Sequence, residues 1–188
     1  MKRLTAAALS IGLFCAAGSL HAQGRVRQHG RAIVEYSSPQ IKAVAAYEYS
    51  RRNHKGAWLL VELAVQTKER VAIHRDQISL LSADERRRIP VASQEQFLED
   101  HEELNRLLQN ALVSRRPLDS YFTTRPQPTI QFFSFPGRIV HDSAISNLDE
   151  VAAGDVLFKS PDGRWPAGTY RLMINHDEAR AELPLVLE

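Results

Sequence analysis

Histidines and carboxylates are the first side chains to test for metal chemistry, because a metal site needs them at fixed spacing, such as two histidines four residues apart. None of the seven histidines has a partner at that spacing. Two adjacent pairs, His141-Asp142 and His176-Asp177, come near the ends of predicted strands. We expect two polar turns there; the alternative is that the two tips meet and bind a cation. We predict no metal and no cofactor.

Nucleophilic catalysis would need an activated serine or cysteine. The single cysteine falls within the predicted leader, and no Gly-x-Ser-x-Gly pattern occurs. None of the nine glycines forms a phosphate loop or a dinucleotide-binding pattern. Carboxylates such as Glu99 and Glu103 lie on the polar face of a predicted helix, where a glycosidase pair is not expected. The sequence therefore predicts no catalytic residue.

Residues 1–22 have the pattern of a secretory signal peptide. Lys2 and Arg3 provide a positive start, residues 4–17 form an apolar run, and Leu20-His21-Ala22 is a plausible cleavage site before Gln23. The apolar run is shorter than the roughly 20 residues that a membrane-spanning helix needs. We therefore expect a periplasmic or secreted protein with no membrane span in the mature chain.

The mature chain is expected to be balanced in charge. Cleavage removes two of the 24 basic residues and none of the 22 acidic ones. A balanced chain has no bulk electrostatic attraction to nucleic acid, which is not an expected partner. A lipid anchor at Cys15 is not expected, because the preceding residue is the large Phe14. Residues 23–30 are predicted to be a flexible lead-in and residues 31–188 a single domain.

Alternating apolar residues between turn residues indicate a mainly β domain. Strands are predicted at 32–36, 41–49, 58–65, 70–73, 77–81, 129–133, 138–141, 155–159, 168–174 and 179–187. The run from residue 58 to 65 is the best candidate for a central strand, because Leu59, Val61, Leu63 and Val65 share one face.

One long helix is predicted from residue 93 to about residue 116. Ser93 and Gln96 have the spacing of a capping box, in which each side chain bonds a free backbone amide of the first turn. An apolar stripe follows at helical spacing, and Pro117 ends the helix because proline disfavours helical geometry in the residue before it.

The segment around Gly168, Tyr170 and Leu172, followed by a closing hairpin, resembles the late strands of immunoglobulin-like β-sandwiches. The resemblance implies that Tyr170 bonds back to the preceding turn and that Trp58 is the tryptophan of the central strand. The predicted fold is an immunoglobulin-like or related antiparallel β-sandwich with one long helical insertion at about 93–116. The resemblance implies no activity, because such sandwiches have many functions.

The expected function is that of a non-catalytic envelope module that binds another envelope protein or supports an assembly. The expected contact surface comprises Arg51, Arg86, Trp165 and Pro184. Pro184 cannot donate to a β-ladder, so its nitrogen should face outward from an edge strand or lie at a bulge. The sequence leaves the oligomeric state open.

Two other functions stay open. An exposed aromatic surface of Trp165, Tyr121 and the cluster from Phe132 to Phe135 would bind a small ligand or a glycan. The competing interpretation of the phenylalanines is that they fill the core beneath the helix. The third function is that of a hydrolase whose site residues meet only in the fold.

Overall fold

The computed structural model describes residues 24–82, 84, 87–136, 139–177 and 179–188. The predicted signal peptide lies outside them. The strands are β1 (Arg25–His29), β2 (Ile33–Ser37), β3 (Ile41–Ala46), β4 (Trp58–Thr67), β5 (Val71–His74), β6 (Ile78–Leu81), β7 (Arg88–Pro90), β8 (Gln127–Ile130), β9 (Ser143–Ser146), β10 (Ala152–Lys159), β11 (Gly168–Asn175) and β12 (Arg180–Leu187). The α-helices are α1 (Glu48–Arg52), α2 (Gln94–Glu99) and α3 (His101–Ala111).

The strands form a large sheet and a small sheet. The large sheet has the order β1-β2-β3-β4-β10-β8, and the small sheet has the order β12-β11-β6-β7. Pairing is antiparallel except between β8 and β10, which run parallel. A separate ribbon joins β5 to β9. Strands hold 43% of the described residues and helices, with the 3-10 turns included, hold 19%, so the prediction of a mainly β, sandwich-like fold is confirmed.

The main core lies between the two sheets. The predicted inward face of β4, Leu59 to Val65 at alternate positions, is completely buried in it. The small sheet contributes residues such as Leu80, Leu172 and Leu183. Period-two alternation on facing strands therefore builds the sandwich, as it does in sheet packings generally.

The outer face of the large sheet is also covered, by two separate apolar clusters. Under α2 and α3, Trp58 and Leu60 pack with Phe97 and Leu104. Further along the same face, small residues of β3 and β4 pack against residues 118–126, the segment that crosses from the end of the helices to β8 and that we call the crossing segment. The molecule thus has three layers, namely helices and crossing segment, large sheet, and small sheet.

The predicted single helix is divided at Asp100 into α2 and α3, and α3 ends at Ala111 rather than near residue 116. The capping box at Ser93 is confirmed. At the break, the Asp100 carboxylate accepts hydrogen bonds from Trp58 Nε1 at 3.1 Å and Lys159 Nζ at 2.7 Å. These contacts hold the break against the large sheet, and the Lys159 contact is the main reason why the pKa of Asp100 is lowered.

Other local predictions differ from the structure. Residues 25–29, within the predicted lead-in, form β1 and pair with β2. A short helix, α1, follows β3 and begins at Glu48, within the strand that was predicted at 41–49. Residues 139–141 form no strand, and β9 comes two residues later. These segments are short, so pairing and burial in the fold outweigh local sequence pattern.

Candidate functional site

Glu62 is the charged residue in the middle of β4. Even-numbered residues of β4 face the outer layer, with Trp58 and Leu60 under the helices and Ala64 under the crossing segment. Glu62 falls between the two apolar clusters. A cross-strand neighbour on β10, Asp155, stands directly opposite it. Two carboxylates therefore share a gap between the two parts of the outer layer.

This gap is a cleft of about 220 Å³, which we call the Glu62 cleft. It is open to solvent on one side. Its lining consists of Glu62, Leu63, Arg115, Arg116, Leu118, Asp119, Pro126, Pro128, Ala153, Gly154 and Asp155. The floor is formed by β4 and β10, and the walls are formed by β8 and by the chain that leaves α3.

The Glu62 carboxyl titrates far above the usual range for glutamate. Burial raises its pKa to about 7; the Arg115 charge opposes this shift and the Asp155 charge adds to it. Desolvation penalises a carboxylate that has no compensating donor. Among the described residues, no hydrogen bond or ion pair reaches the Glu62 carboxyl. Glu62 is thus a half-buried acid that is poised to change its charge near neutral pH.

Asp155 has the partner that Glu62 lacks. Arg115 directly follows the 3-10 turn Leu112–Ser114 at the end of α3, and it forms an ion pair with the Asp155 carboxylate across the cleft. The neighbouring Arg116 is exposed at the rim. Asp119 lies on the same rim. The floor of the cleft therefore combines one paired acid, Asp155, with one unpaired acid, Glu62.

Sequence reasoning missed Glu62 as a site residue. The available signal was a single charge inside the apolar run from Trp58 to Val65. A charge at the centre of a covered strand needs a partner, a cavity or a shifted pKa. The Asp155 pairing was not visible, because the two residues are far apart in the chain and meet only through the register of β4 and β10.

Arg51 was expected on an exposed contact surface, and the structure corrects this. Its residue exposure is 5%. Its Nη1 lies 2.5 Å from Glu188 Oε2, and its Nη2 lies 3.5 Å from Glu48 Oε1. The Nε atom is buried without a hydrogen-bond partner among the described residues. Arg51 is therefore an internal connection between α1 and the end of β12.

Trp165 was also expected at the surface, and it is a core residue with 2% exposure. Its ring packs edge-on against Tyr170 at a centroid distance of 5.6 Å, and its Nε1 donates to the Ala57 carbonyl oxygen at 3.1 Å. The Tyr170 hydroxyl donates to the Pro166 carbonyl oxygen at 2.9 Å, as the sandwich resemblance implied. Trp58, by contrast, lies on the helix side of the large sheet rather than between the sheets.

Pro184 lies on the edge strand that the sequence predicted, since β12 ends the small sheet. Val186, two residues on, donates its backbone N–H to the Tyr47 hydroxyl at 3.1 Å, away from β11. Alternate residues of a strand point their N–H groups to the same side, so the Pro184 nitrogen faces the open edge. Arg86 lies outside the described residues. Of the three described residues of the predicted contact surface, Arg51 and Trp165 are buried, so the three do not form an exposed surface together.

The phenylalanines of the aromatic cluster divide between two cores: Phe132 lies in the main core between the sheets, and Phe133 and Phe135 pack in the cluster beneath the helices. Phe132 is buried, and Phe133 stacks on Phe97 at a centroid distance of 4.8 Å. Phe135 meets the same ring edge-on at 5.1 Å. Tyr121 is half-buried against the crossing-segment cluster. The interpretation of these rings as an exposed aromatic surface is therefore wrong.

The two His-Asp pairs do not form a metal site. No group of three or more histidine, cysteine, aspartate or glutamate residues within the described ranges is placed to hold a metal ion. The Asp142 backbone carbonyl instead accepts a hydrogen bond from the Arg75 amide at 2.9 Å.

Comparisons with known proteins give no family. No family model matches the sequence. No curated protein matches it either. One solved structure that is similar to this chain is that of a functionally unknown protein from Listeria monocytogenes EGD-e, with 11% identity and a TM-score of 0.34. The similarity covers 88% of this chain and 83% of that one, and it adds no activity.

The helices in the described part of the chain do not suit a membrane crossing. None combines the length and the apolar character that such a crossing requires.

Proposed function

We propose that this chain is an exported, non-catalytic module that binds another protein of the envelope, and that the partner adds an extended segment to β1. Support for export comes from the signal-peptide pattern of residues 1–22. Support for protein binding comes from the position of β1 at the end of the large sheet. That unpaired edge is the observation on which the proposal rests.

β1 pairs with β2 at all five of its positions, and its other edge pairs with no strand of the described chain. Four of its five side chains are exposed. An unpaired edge presents a row of free backbone donors and acceptors, which is a template for an added strand.

β12 offers a poorer edge than β1. Pro184 has no N–H to donate, and the Val186 N–H is already bonded to the Tyr47 hydroxyl. Residues of β12 also contact β2 and β3. The contact surface expected around Pro184 is therefore replaced in this proposal by β1.

The charges of β1 specify the kind of partner. Arg25 and Arg27 lie two residues apart and so share one face of the strand. An antiparallel pairing of two copies centred on Arg27 would place like charges opposite each other, which is destabilising. We therefore expect an extended segment of a different protein, with acidic residues at alternate positions.

Site-specific photocrosslinking in the native envelope tests this proposal. A photoreactive amino acid at Gln28 should give one discrete adduct, whereas the same group at Glu102, on the exposed face of α3, should give none. Arg25→Glu combined with Arg27→Glu should reduce the adduct by about tenfold, because it replaces attraction by repulsion.

The control is Arg70→Glu combined with Arg125→Glu, which changes net charge equally at exposed sites away from β1. An adduct that is absent at Gln28, or that both double variants reduce equally, would contradict the proposal.

A further inference from the structure

The Glu62 cleft has features of a binding site that the strand-addition surface does not use. It lies over β4, β10 and β8, whereas β1 is at the opposite end of the large sheet. At about 220 Å³ it is smaller than the roughly 300–1,000 Å³ of pockets that hold drug-sized ligands. Its size suits one side chain or a small linear molecule.

We propose that the Glu62 cleft binds a compact organic cation, an alkylammonium or alkylguanidinium group, with Glu62 as the residue that accepts its hydrogen bonds. The chemistry is that of a lysine or arginine side chain, or of a free polyamine.

The unpaired carboxylate favours a cation over an anion. Arg115 is already neutralised by Asp155, so the cation nearest the floor is not available to an anion. Glu62 has no donor among the described residues. The floor and the rim of the cleft together carry three carboxylates and two guanidinium groups, which are those of Glu62, Asp119, Asp155, Arg115 and Arg116. A cationic group would supply the charge-assisted hydrogen bonds that Glu62 lacks.

The walls suit the aliphatic stem of such a ligand. Leu118, Pro126 and Pro128 line the cleft around the acidic floor. Lysine and arginine stems gain by lying along apolar surface while their charged heads stay hydrogen-bonded. Apolar walls above a single acid thus match the two parts of an alkyl cation.

Binding should depend on pH, because only the ionised form of Glu62 accepts a cation. The charged groups that face Glu62 are Asp155 on β10 and Arg115, Arg116 and Asp119 on the chain after α3. Since the Glu62 pKa is raised to about 7, the ionised fraction falls about tenfold between pH 8 and pH 6. Affinity should fall by the same factor.

NMR titration of the mature protein tests the proposal. The probes are N-acetylarginine methylamide, N-acetyllysine methylamide and 1,4-diaminobutane, with N-acetylaspartate methylamide as the anionic probe. We expect saturable amide shifts around Glu62, Leu118 and Asp155 with a cationic probe at pH 8. Stronger binding of the two amino-acid probes would point to a protein side chain, and stronger binding of the diamine would point to a free polyamine.

Glu62→Gln should lower the affinity for the cationic probes by about tenfold or more, because it removes the negative charge of the side chain but keeps its shape. Glu102→Gln, which removes an exposed carboxylate of α3 that does not line the cleft, is the matched control and should change affinity less than about twofold. The proposal is overturned if no cationic probe saturates, if the anionic probe binds more tightly, or if Glu62→Gln binds the cations as well as the natural chain.

Discussion

Glu62 should make the stability of the protein depend on pH in the direction opposite to that of an ion-paired acid. Its pKa in the folded protein is about 7, above the ordinary value of 4.5 that the unfolded chain has. Between these values the unfolded chain binds fewer protons than the folded one. The free energy of unfolding must therefore fall as pH rises from about 4.5 to 7.

We predict that Glu62→Gln removes this loss. Between pH 4.5 and pH 8, the natural chain should lose up to about 3 kcal/mol more of its free energy of unfolding than the variant loses. Urea denaturation at both pH values measures it, with Asp119→Asn as the control variant. A pH dependence that is the same in the natural chain and Glu62→Gln would refute the prediction.

At the scale of single residues, sequence reasoning succeeded where one strand's own pattern decides the environment. The inward-facing residues of β4 are an example, whereas the Tyr170 hydrogen bond to Pro166 was implied by the sandwich resemblance. Sequence reasoning failed for Arg51 and Trp165, which were expected at the surface because they lie in predicted loops but are buried. Arg51 is buried because Glu48 and Glu188 supply partners, and Glu188 lies 137 residues away in the chain.

Among the elements, the parallel strands β8 and β10 approach each other closely at Gly154. A Cβ added at Gly154 would overlap the backbone carbonyl oxygen of Ile130. Backbone cannot yield as a flexible side chain can, so only glycine permits this approach. The same contact sets one wall of the Glu62 cleft, which includes Pro128 of β8.

We predict that Gly154→Ala lowers the free energy of unfolding by about 2 kcal/mol, because it forces β8 away from β10. The control is Gly56→Ala, whose added Cβ would meet nothing closer than Glu103 Oε1 at 4.0 Å. Thermal or urea unfolding compares the two variants. Equal stability of the two would show that β8 moves aside at no cost.

The helix prediction was right about the start of the helix and wrong about its continuity, because the two features depend on contacts at different distances along the chain. Ser93 and Gln96 are neighbours in sequence, so the start of α2 was visible. The break at Asp100 depends on Trp58 and Lys159, which reach it from β4 and β10. β1 was missed for a related reason, because its four exposed side chains carry no apolar alternation and only β2 defines it as a strand.

For the whole molecule, a polar connection joins the end of β12 to the short helix between β3 and β4. Besides the Arg51 contacts, His54 Nε2 lies 2.8 Å from the Glu188 backbone oxygen, and its Nδ1 lies 2.7 Å from the Trp165 carbonyl oxygen. Because β12 belongs to the small sheet and β3 and β4 to the large one, these contacts help to hold the sheets in register.

We predict that Arg51→Met lowers the free energy of unfolding by about 2 kcal/mol, since it leaves carboxylate partners without their buried donor. Arg52→Met is the matched control. Arg52 is the next residue, contacts the same Glu48 carboxylate and is largely exposed, so its loss should cost no more than about 0.5 kcal/mol. Urea denaturation of both variants measures the difference, and equal losses would show that burial of Arg51 contributes nothing.

The place of β4 within the large sheet has a consequence for how the chain reaches its final form. β4 is complete at Thr67, but its neighbour β10 starts only at Ala152. A polypeptide emerging from a ribosome or a translocation channel must therefore wait for some 85 residues before its central strand gains the second neighbour. Closing so long a loop is slow, and an apolar strand with one edge unpaired is prone to aggregation in the meantime.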